Sequence, residues 1–251
     1  MQAHANTNPY APGAVAIRSR DDVVVTKYLT DALAACRKKS YDEVRRAIEA
    51  AQRLAPSYAE VYRIEGWVEY CFGNYAAARN AYELAIELDP KSPVLRYWYA
   101  GFLLRGHEDP TAAIEQLKIA QESDPEGPEI RVEFSRALSY LFQFDEAEAQ
   151  LQPVLRTPLR TRLKRIAYDG WLQIAGRRAS FCVHNGDYLA ALDALEELIA
   201  RFRAIPPEYL DRKIIENVTE RASEASRVAY ELRHSGVSAR AESTHKSLLK
   251  L

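Results

Sequence analysis

The sequence predicts an all-α protein built from repeated pairs of amphipathic helices. A small residue recurs every 34 or 35 positions as Ala32, Gly66, Ala100 and Ser135, and it appears again after a longer interval as Ala179. A proline recurs at a similar interval, as Pro56, Pro90 and Pro125. Glycine is scarce, with 10 residues in 251, whereas alanine, leucine, glutamate and arginine, which favour helices, are plentiful. Together these observations indicate tandem helix-turn-helix units.

The small residues mark the places where the two helices of a pair cross. Helix axes approach to about 8–10 Å only where the side chains at the crossing are small. A second small position holds Ala78, Ala113, Ala147 and Ala191. Large apolar residues recur at a third position, as Ile48, Tyr82, Leu117, Leu151 and Leu195. The pattern therefore predicts close packing within each pair.

Two turns within the pairs carry helix-start signals. Ser40 and Glu43 stand three positions apart ahead of a helix, which predicts a capping box. Asp109 precedes Pro110, and we expect Asp109 to be the N-cap and Pro110 the first helical residue. Each signal marks the start of the second helix of its pair.

Both ends of the chain depart from the repeat pattern. The predicted divisions are a flexible N-terminal arm or linker at 1–20, four repeat units at 21–158, a degenerate fifth repeat with an extended first helix at 159–206, and capping helices at 207–251. One long helix is expected after Pro207, with a break at Ser235 and Gly236 before a shorter helix. A cap is expected because a solenoid exposes its last apolar face unless an atypical helix covers it.

The stretch Ala59–Ser92, AEVYRIEGWVEYCFGNYAAARNAYELAIELDPKS, matches the whole pattern best. It has a small residue at Gly66, a turn at Gly73 and a terminal Asp89-Pro90, and it resembles the tetratricopeptide repeat. The resemblance implies a right-handed superhelical solenoid of about five helix-turn-helix units with a C-terminal capping helix pair. In that family the first helices of the units line a concave groove, which usually binds an extended peptide or a partner helix.

The resemblance also implies which residues face the groove. Carried over by repeat position, they are Arg63, Trp67, Tyr70, Tyr97, Gly101, Leu104, Arg105, Arg136 and Tyr140. Aromatic rings interleaved with arginines favour recognition, because rings bury area with little entropy loss and guanidinium groups offer forked donors. The alternative is that Trp67, Tyr70 and Tyr97 pack against a neighbouring helix or against the N-terminal arm.

A second candidate site is an acidic spot with the members Asp31, Glu65 and Glu69. The repeat usually has core-facing residues at these positions, so these carboxylates must be paired or have strongly shifted pKa values. One interpretation is that an arginine neutralises them in a network between repeats, the candidates being Arg63, Arg96 and Arg46. The other is that the acidic spot receives a basic group from a ligand.

A third candidate site is a phosphate-binding patch in the arginine-rich stretch 156–178. Its members are Arg160, Arg162, Lys164, Arg165, Arg177 and Arg178. Clustered cations of this kind can bind phosphate groups. The alternatives are a solvated face, or a counterpart to acidic helices such as those that contain Glu146–Glu148 and Glu196-Glu197.

The sequence carries no signature of catalysis. It has no glycine-rich phosphate loop, no His-Glu-x-x-His and no paired Cys-x-x-Cys, and its five histidines are dispersed. We therefore expect no enzyme activity, no metal and no cofactor. The expected function is an adaptor or scaffold that binds a protein or peptide partner in the concave groove. The alternatives are a ligand-sensing or regulatory module of a larger signalling protein, and a nucleic-acid-binding helical array that uses the stretch 156–178.

Charge and hydropathy bear on the compartment and the partners. The formal net charge is −1, so no global field draws the chain to nucleic acid or to a membrane. No run of about 18 apolar residues occurs, and the three cysteines are far apart and odd in number. We expect a cytoplasmic chain without a nucleic-acid or membrane partner, and a homo-oligomer through exposed end faces is left open.

Overall fold

Helices follow one another in tandem along the chain. A computed structural model describes residues 9–10, 22–106, 109–159 and 161–250, and over these ranges the regular structure is helical, without a strand. The predicted all-α array of helix-turn-helix units is confirmed. The helices form two compact units, with the boundary between Glu133 and Phe134, and each unit is described by itself.

Unit 1 contains helices that pack in successive pairs. They are α1 (Asp22–Arg37), α2 (Tyr41–Leu54), α3 (Ala59–Cys71), α4 (Tyr75–Leu88), α5 (Pro93–Gly106) and α6 (Pro110–Ser123). α1 packs on α2, α3 on α4 and α5 on α6, while α3 also contacts α1 and α5. The first helices of the pairs are therefore neighbours, as a shared groove requires. The unit boundary falls within α7 (Pro128–Tyr140).

Unit 2 contains the remaining helices. They are α8 (Phe144–Arg156), α9 (Thr161–His184), α10 (Tyr188–Ala204), a 3-10 helix (Pro207–Tyr209), α11 (Arg212–Thr219), α12 (Ala222–Glu231) and α13 (Ser238–Leu248). α9 is 24 residues long and packs on α8 and α10. α12 and α13 pack on each other and on α10, so they cover the apolar face of that helix.

Small residues allow the helices of a pair to approach closely. A Cβ atom added to Gly66 would lie 2.9 Å from ring atoms of Tyr82, which is closer than such contacts normally come. Ala32 and Ala100 occupy the same repeat position and are fully buried. The recurring small residues thus mark the points where the two helices of a pair touch, as α3 and α4 do at Gly66.

One position in the turns within the pairs has a left-handed backbone. Gly73 and Gly186 have φ angles of 81° and 76°, while Lys39 and Phe142 have φ angles of 57° and 60° in corresponding turns. For a residue with a side chain this conformation costs roughly 1–2 kcal/mol. Helix packing therefore imposes this turn geometry even where glycine is absent.

The two predicted helix starts have different outcomes. Asp109 is the N-cap of α6, with its Oδ1 atom accepting a hydrogen bond from the Ala112 amide at 2.9 Å, as predicted. The capping box at Ser40 is wrong, since the Ser40 side chain makes no capping hydrogen bond. The Ser40 amide donates to the Ala35 carbonyl at 3.1 Å, so it is already engaged and does not need the Glu43 carboxylate.

The long helix predicted after Pro207 is also wrong. The chain forms a 3-10 helix there, followed by α11 and α12, with a break at Glu220 and Arg221. At the break, the Arg221 Nη1 atom donates to the Ser180 hydroxyl at 3.0 Å and pairs with Glu224 at 2.8 Å. We attribute the break to the contact of Arg221 with Ser180 of α9, which an apolar stripe does not encode.

Candidate functional site

Four aromatic residues pack together in unit 1 and form what we call the aromatic face, in which Trp98 is buried and the other three are partly exposed. Trp67 and Tyr70 come from α3, and Tyr97 and Trp98 come from α5. The rings of Trp67 and Trp98 pack edge to face with centroids 5.3 Å apart, which joins the two helices. Trp67 also contacts Tyr70 at 5.7 Å, and Tyr97 contacts Trp98 at 5.7 Å.

Pro9 and Tyr10 of the N-terminal segment lie on this aromatic face. The Tyr10 ring packs edge to face on Tyr97 with centroids 5.1 Å apart, and the residue is only 9% exposed. The Tyr10 hydroxyl donates to Asp124 Oδ2 at 2.6 Å, and the Trp98 indole donates to the Pro9 carbonyl at 3.4 Å. Burial, followed by the Asp124 hydrogen bond, raises the pKa of Tyr10, so its hydroxyl stays protonated as a donor.

Arg63, which the repeat pattern assigns to the groove, lies behind the aromatic face. Its guanidinium is 1% exposed and holds Glu60 with two contacts, Nε to Oε2 at 2.7 Å and Nη2 to Oε1 at 2.5 Å. The same guanidinium lies 4.9 Å from the ring centroid of Trp98. Arg63 therefore orients Trp98 and does not present a forked donor to solvent.

Gly101, Leu104 and Arg105 continue along α5. Leu104 is buried at 5% exposure, and the Arg105 Nη1 atom pairs with Glu133 Oε1 at 2.7 Å. A Cβ atom on Gly101 would lie 2.2 Å from Arg105 Nη2, so this glycine gives the guanidinium room to cross the helix surface. The Arg105 side chain is 39% exposed and so forms a polar rim beside the aromatic face.

The remaining groove candidates, Arg136 and Tyr140, belong to unit 2. Tyr140 is 43% exposed, and the Arg177 guanidinium lies 3.9 Å above its ring. This stacked pair is a local feature of unit 2.

The members of the acidic spot have separate environments. Glu65 accepts a hydrogen bond from the Gln52 amide at 2.9 Å, and burial raises the pKa of its carboxyl group. Glu69 accepts from the Tyr41 hydroxyl at 3.0 Å and from the Asn74 amide at 2.6 Å. Asp31 is exposed. In the described part of the chain, neutral donors hold Glu65 and Glu69, in place of the arginines that one interpretation assigned to them.

Two of those arginines have other partners in the described part of the chain. Arg63 holds Glu60, and Arg96 donates to the Gln116 side chain at 2.8 Å and to the Pro90 carbonyl at 2.9 Å. Arg46 is exposed on α2. Among the described residues, Glu65 and Glu69 are therefore held by hydrogen bonds from neutral side chains.

The members of the phosphate-binding patch are spread over several environments in unit 2. Lys164 is buried, its ammonium donates to the Leu155 carbonyl, and burial lowers its pKa. Arg178 pairs with Asp145 at 2.9 Å and with Glu148 at 3.1 Å. The pairing with Glu148 agrees with the alternative that these arginines are counterparts of an acidic helix.

The other described members of the phosphate-binding patch also have different surroundings. Arg165 lies 3.6 Å from the Asp211 carboxylate, and Arg177 stacks on Tyr140. Arg162 is exposed, and Arg160 lies outside the described residues. The described members of the patch are therefore not gathered around one point.

A cavity of about 700 Å³ lies in unit 2, next to α9. Its walls combine apolar and polar side chains, including Phe142, Leu172, Gln173, Ser180, Phe181 and Arg221. Two of its polar residues are already engaged, since Arg221 donates to Ser180 and pairs with Glu224. No sequence signal marks this cavity, because its walls come from helices distant in sequence.

The sequence interpretation missed three residues of the aromatic site. Repeat position points to neither Asp124 nor Trp98, and Tyr10 enters only through the alternative that Tyr97 packs against the N-terminal arm, which is the contact that the structure has. The one available signal was the segment NPYAP at positions 8–12, an aromatic residue between prolines in an otherwise small and polar stretch.

Two further features are absent from the described part of the chain. No group of three or more His, Cys, Asp or Glu residues there could hold a metal ion. Nor does any helix described here combine the length and apolar character needed to cross a membrane.

Comparison with known proteins agrees with this architecture. Residues 29–93 match a family model described as tetratricopeptide repeat. No curated protein matches the chain.

Several solved structures share the fold. The C-terminal part of a TPR repeat-containing protein from Cytophaga hutchinsonii is 16% identical, with a TM-score of 0.60 over 90% of this chain and 83% of that chain. PilW, a type IV pilus biogenesis factor, is 15% identical, with a TM-score of 0.57 over 88% and 91% of the two chains. YrrB, a TPR protein with an unusual peptide-binding site, is 19% identical, with a TM-score of 0.52 over 74% and 89%.

The paired helices, the small residues at their crossings and these likenesses define a helical repeat protein of the solenoid class. Residues 29–93 match the tetratricopeptide repeat, and the chain shares its fold with solved tetratricopeptide repeat proteins.

Proposed function

We propose that the chain is a non-catalytic interaction module, an adaptor or scaffold, that binds an extended peptide segment of a partner protein on the aromatic face of unit 1. The observation that carries this proposal is the position of Pro9 and Tyr10, which contact Tyr97 and Trp98 through a ring and a backbone carbonyl. A surface that holds one piece of chain in this way has the chemistry to hold another.

The energetics of the face support the same function. Tryptophan and tyrosine dominate binding energy at protein interfaces, because they bury large areas with few rotatable bonds. Trp67, Tyr70 and Tyr97 are all partly exposed, and the half-exposed Arg105 supplies a charged rim. A peptide-binding site is also what the structure of YrrB is described as having, so this use of the fold has a precedent.

The alternatives have less support. The unit 2 cavity favours a ligand-sensing module, but its arginine is already paired with Glu224. Pairing of Arg178 with two carboxylates weighs against a nucleic-acid-binding array. The proposal includes no metal, cofactor or membrane contact. Its cytoplasmic setting is consistent with the free thiols of Cys36, Cys71 and Cys182. Self-association stays a prediction.

The test is a selection of peptides from a random display library on the intact chain. The selected peptides are then measured against the double variant Trp67→Ala, Tyr97→Ala. We expect at least a tenfold loss of affinity, roughly what truncation of aromatic residues at an interface causes.

Tyr230→Ala is the matched control, because Tyr230 is 61% exposed on α12 of unit 2. We expect it to leave binding unchanged, and circular dichroism melts establish that all variants fold. Selected peptides that bind the double variant as tightly as the parent chain would disprove the assignment to the aromatic face.

A further inference from the structure

We propose that Pro9 and Tyr10 are an internal occupant of the aromatic face, and that the external ligand carries the same element, a tyrosine with a free hydroxyl preceded by proline. This inference rests on the proposed function and identifies the chemistry of the partner. The internal occupant then regulates the site, because a partner must displace it in order to bind.

The ring of Tyr10 is seated as a ligand side chain would be. It is 9% exposed, although it belongs to a part of the chain before the first helix, and it meets the Tyr97 ring edge to face at an interplanar angle of 82°. Such edge-to-face pairs contribute attraction beyond the area they bury. The aromatic face thus has a position shaped for one planar ring.

The hydroxyl of Tyr10 has an acceptor built for it. Asp124 is the C-cap of α6, and its Oδ2 atom accepts from the hydroxyl at 2.6 Å. The carboxylate lies directly over Gly127, where an added Cβ atom would come within 2.6 Å of Oδ2. A glycine at this point leaves room for the carboxylate, so the acceptor is part of the turn that follows α6.

The negative charge around the Asp124 carboxylate determines whether unmodified or phosphorylated tyrosine can bind. Asp124 accepts the neutral hydroxyl, and Glu129 adds negative charge near the same oxygen. A phosphorylated tyrosine carries a charge of about −1.5 to −2 and would stand against both carboxylates. The site therefore favours the unmodified residue and rejects the phosphorylated one.

The residue before the tyrosine also has a defined contact. The Trp98 indole donates to the carbonyl of Pro9 at 3.4 Å, so the backbone of the occupant is read together with its ring. Proline fixes its own φ angle near −65°, which lowers the entropy lost when the segment binds. The contacts thus require a tyrosine that follows a backbone carbonyl in this position, and proline presents that carbonyl at a low entropy cost.

Attachment to the chain makes the occupant an effective competitor. A tethered segment acts at a local concentration of about millimolar. If the occupant fills the face for about nine tenths of the time, the apparent affinity for an external ligand falls about tenfold. Removal of the Tyr10 ring should restore that affinity.

The test uses fluorescence anisotropy with a labelled peptide, ANTNPYAPGA, which copies residues 5–14. We expect it to bind the intact Tyr10→Ala chain at least about tenfold more tightly than the parent chain. A peptide with phenylalanine in place of the tyrosine should bind about tenfold more weakly, as expected for loss of a hydrogen bond to a charged group. The phosphotyrosine peptide should not bind.

Variants in the Tyr10→Ala background identify the acceptor. Adding Asp124→Ala should abolish the preference for tyrosine over phenylalanine. Adding Asp89→Ala is the matched control, since Asp89 caps α4 just as Asp124 caps α6, and it should keep the preference. Tyr10→Phe in the parent chain gives a milder variant if Tyr10→Ala melts at a much lower temperature.

The outcomes separate the two proposals. If library peptides bind through Trp67 and Tyr97 but the Pro-Tyr peptide does not bind Tyr10→Ala, the present inference is wrong and the proposed function stands. Equal affinity of the Pro-Tyr peptide for Tyr10→Ala and the parent chain would also overturn internal occupancy. A concentration-dependent dimer of the parent chain that Tyr10→Ala dissolves would overturn it too, since the occupant would then come from a second copy.

Discussion

The sequence marks both the aromatic face of unit 1 and the arginine-rich helix of unit 2 as candidate sites, but their side chains have different surroundings in the structure. In unit 1, rings from α3 and α5 form one surface, and a segment of the chain lies on it. In unit 2, Arg178 forms ion pairs with Asp145 and Glu148, and the Arg177 guanidinium stacks on the ring of Tyr140. A cluster of like charges is thus a weaker guide to a site than a cluster of rings.

The reason lies in what each kind of side chain needs. An arginine finds a carboxylate on almost any neighbouring helix of a protein with 34 cationic and 35 acidic residues, so its charge is easily satisfied within the fold. A large ring at a partly exposed position leaves apolar area in contact with water, and covering that area with another apolar surface is favourable. Rings left at the surface therefore indicate an occupant more reliably than charges do.

The largest expected effect comes from the ion pair behind the aromatic face. Glu60→Ala removes the carboxylate that holds the Arg63 guanidinium, which is 1% exposed. Breaking a buried pair from one side typically costs about 3–5 kcal/mol, so we expect a loss of about 3 kcal/mol in the free energy of unfolding. Urea denaturation monitored by tryptophan fluorescence measures it.

The corresponding change in unit 2 is Asp145→Ala. Its carboxylate is 90% exposed, although it lies 2.9 Å from Arg178. We expect a loss below about 1 kcal/mol, the usual value for a surface pair. Equal losses for the two variants would remove the distinction between the structural arginine of unit 1 and the surface arginine of unit 2.

A smaller contrast compares two helical glycines, Gly66 in α3 and Gly170 in α9. A Cβ atom on Gly66 would press on the buried ring of Tyr82 at 2.9 Å, whereas one on Gly170 would meet only Leu151 at 3.6 Å. Alanine is favoured over glycine in a helix by about 1 kcal/mol, but overpacking costs about 1–3 kcal/mol. We therefore expect Gly66→Ala to lower the melting temperature and Gly170→Ala to raise it.

Thermal melts followed by circular dichroism check both signs. A stabilising Gly66→Ala would mean that Tyr82 moves aside at little cost, and that the small residue is not required for the crossing.

Much of the fold could be predicted, because repeat spacing is a local signal that tandem copies reinforce. The small residue at Gly66 and the cap at Asp109 follow from steric and hydrogen-bonding rules within a few residues. The break at Arg221 could not be predicted in this way. It depends on a hydrogen bond to Ser180, 41 positions earlier in the chain.

The candidate site was predictable only in part. Repeat position identified Trp67, Tyr70 and Tyr97, since all three lie on the first helices of their pairs. It could not show that Arg63 turns inward to Glu60, because the direction of a long side chain depends on burial. The contact of Tyr10 with Asp124 spans 114 positions, and no periodic signal links them.

The smallest expected effect concerns Glu65, a half-buried carboxylate of unit 1 held by the neutral donor Gln52. Burial raises its pKa above the ordinary value of 4.5. The folded state then binds the proton more tightly than the unfolded state, so this group lowers stability as the pH rises from 4.5 towards its folded pKa, and the cost persists above it. Glu65→Gln removes the ionisation, and we expect the variant to be more stable than the parent at pH 7.

At pH 4 the difference should shrink, since protonated Glu65 and glutamine are both neutral. Urea midpoints at the two pH values measure this change. Peptides bound by the aromatic face provide a second readout, because a merely structural Glu65 leaves their affinity unchanged while a ligand-binding one does not. A parent chain more stable than Glu65→Gln at pH 7 would show that the fold favours the carboxylate over a neutral amide, and it would contradict the expected cost of burying this charge.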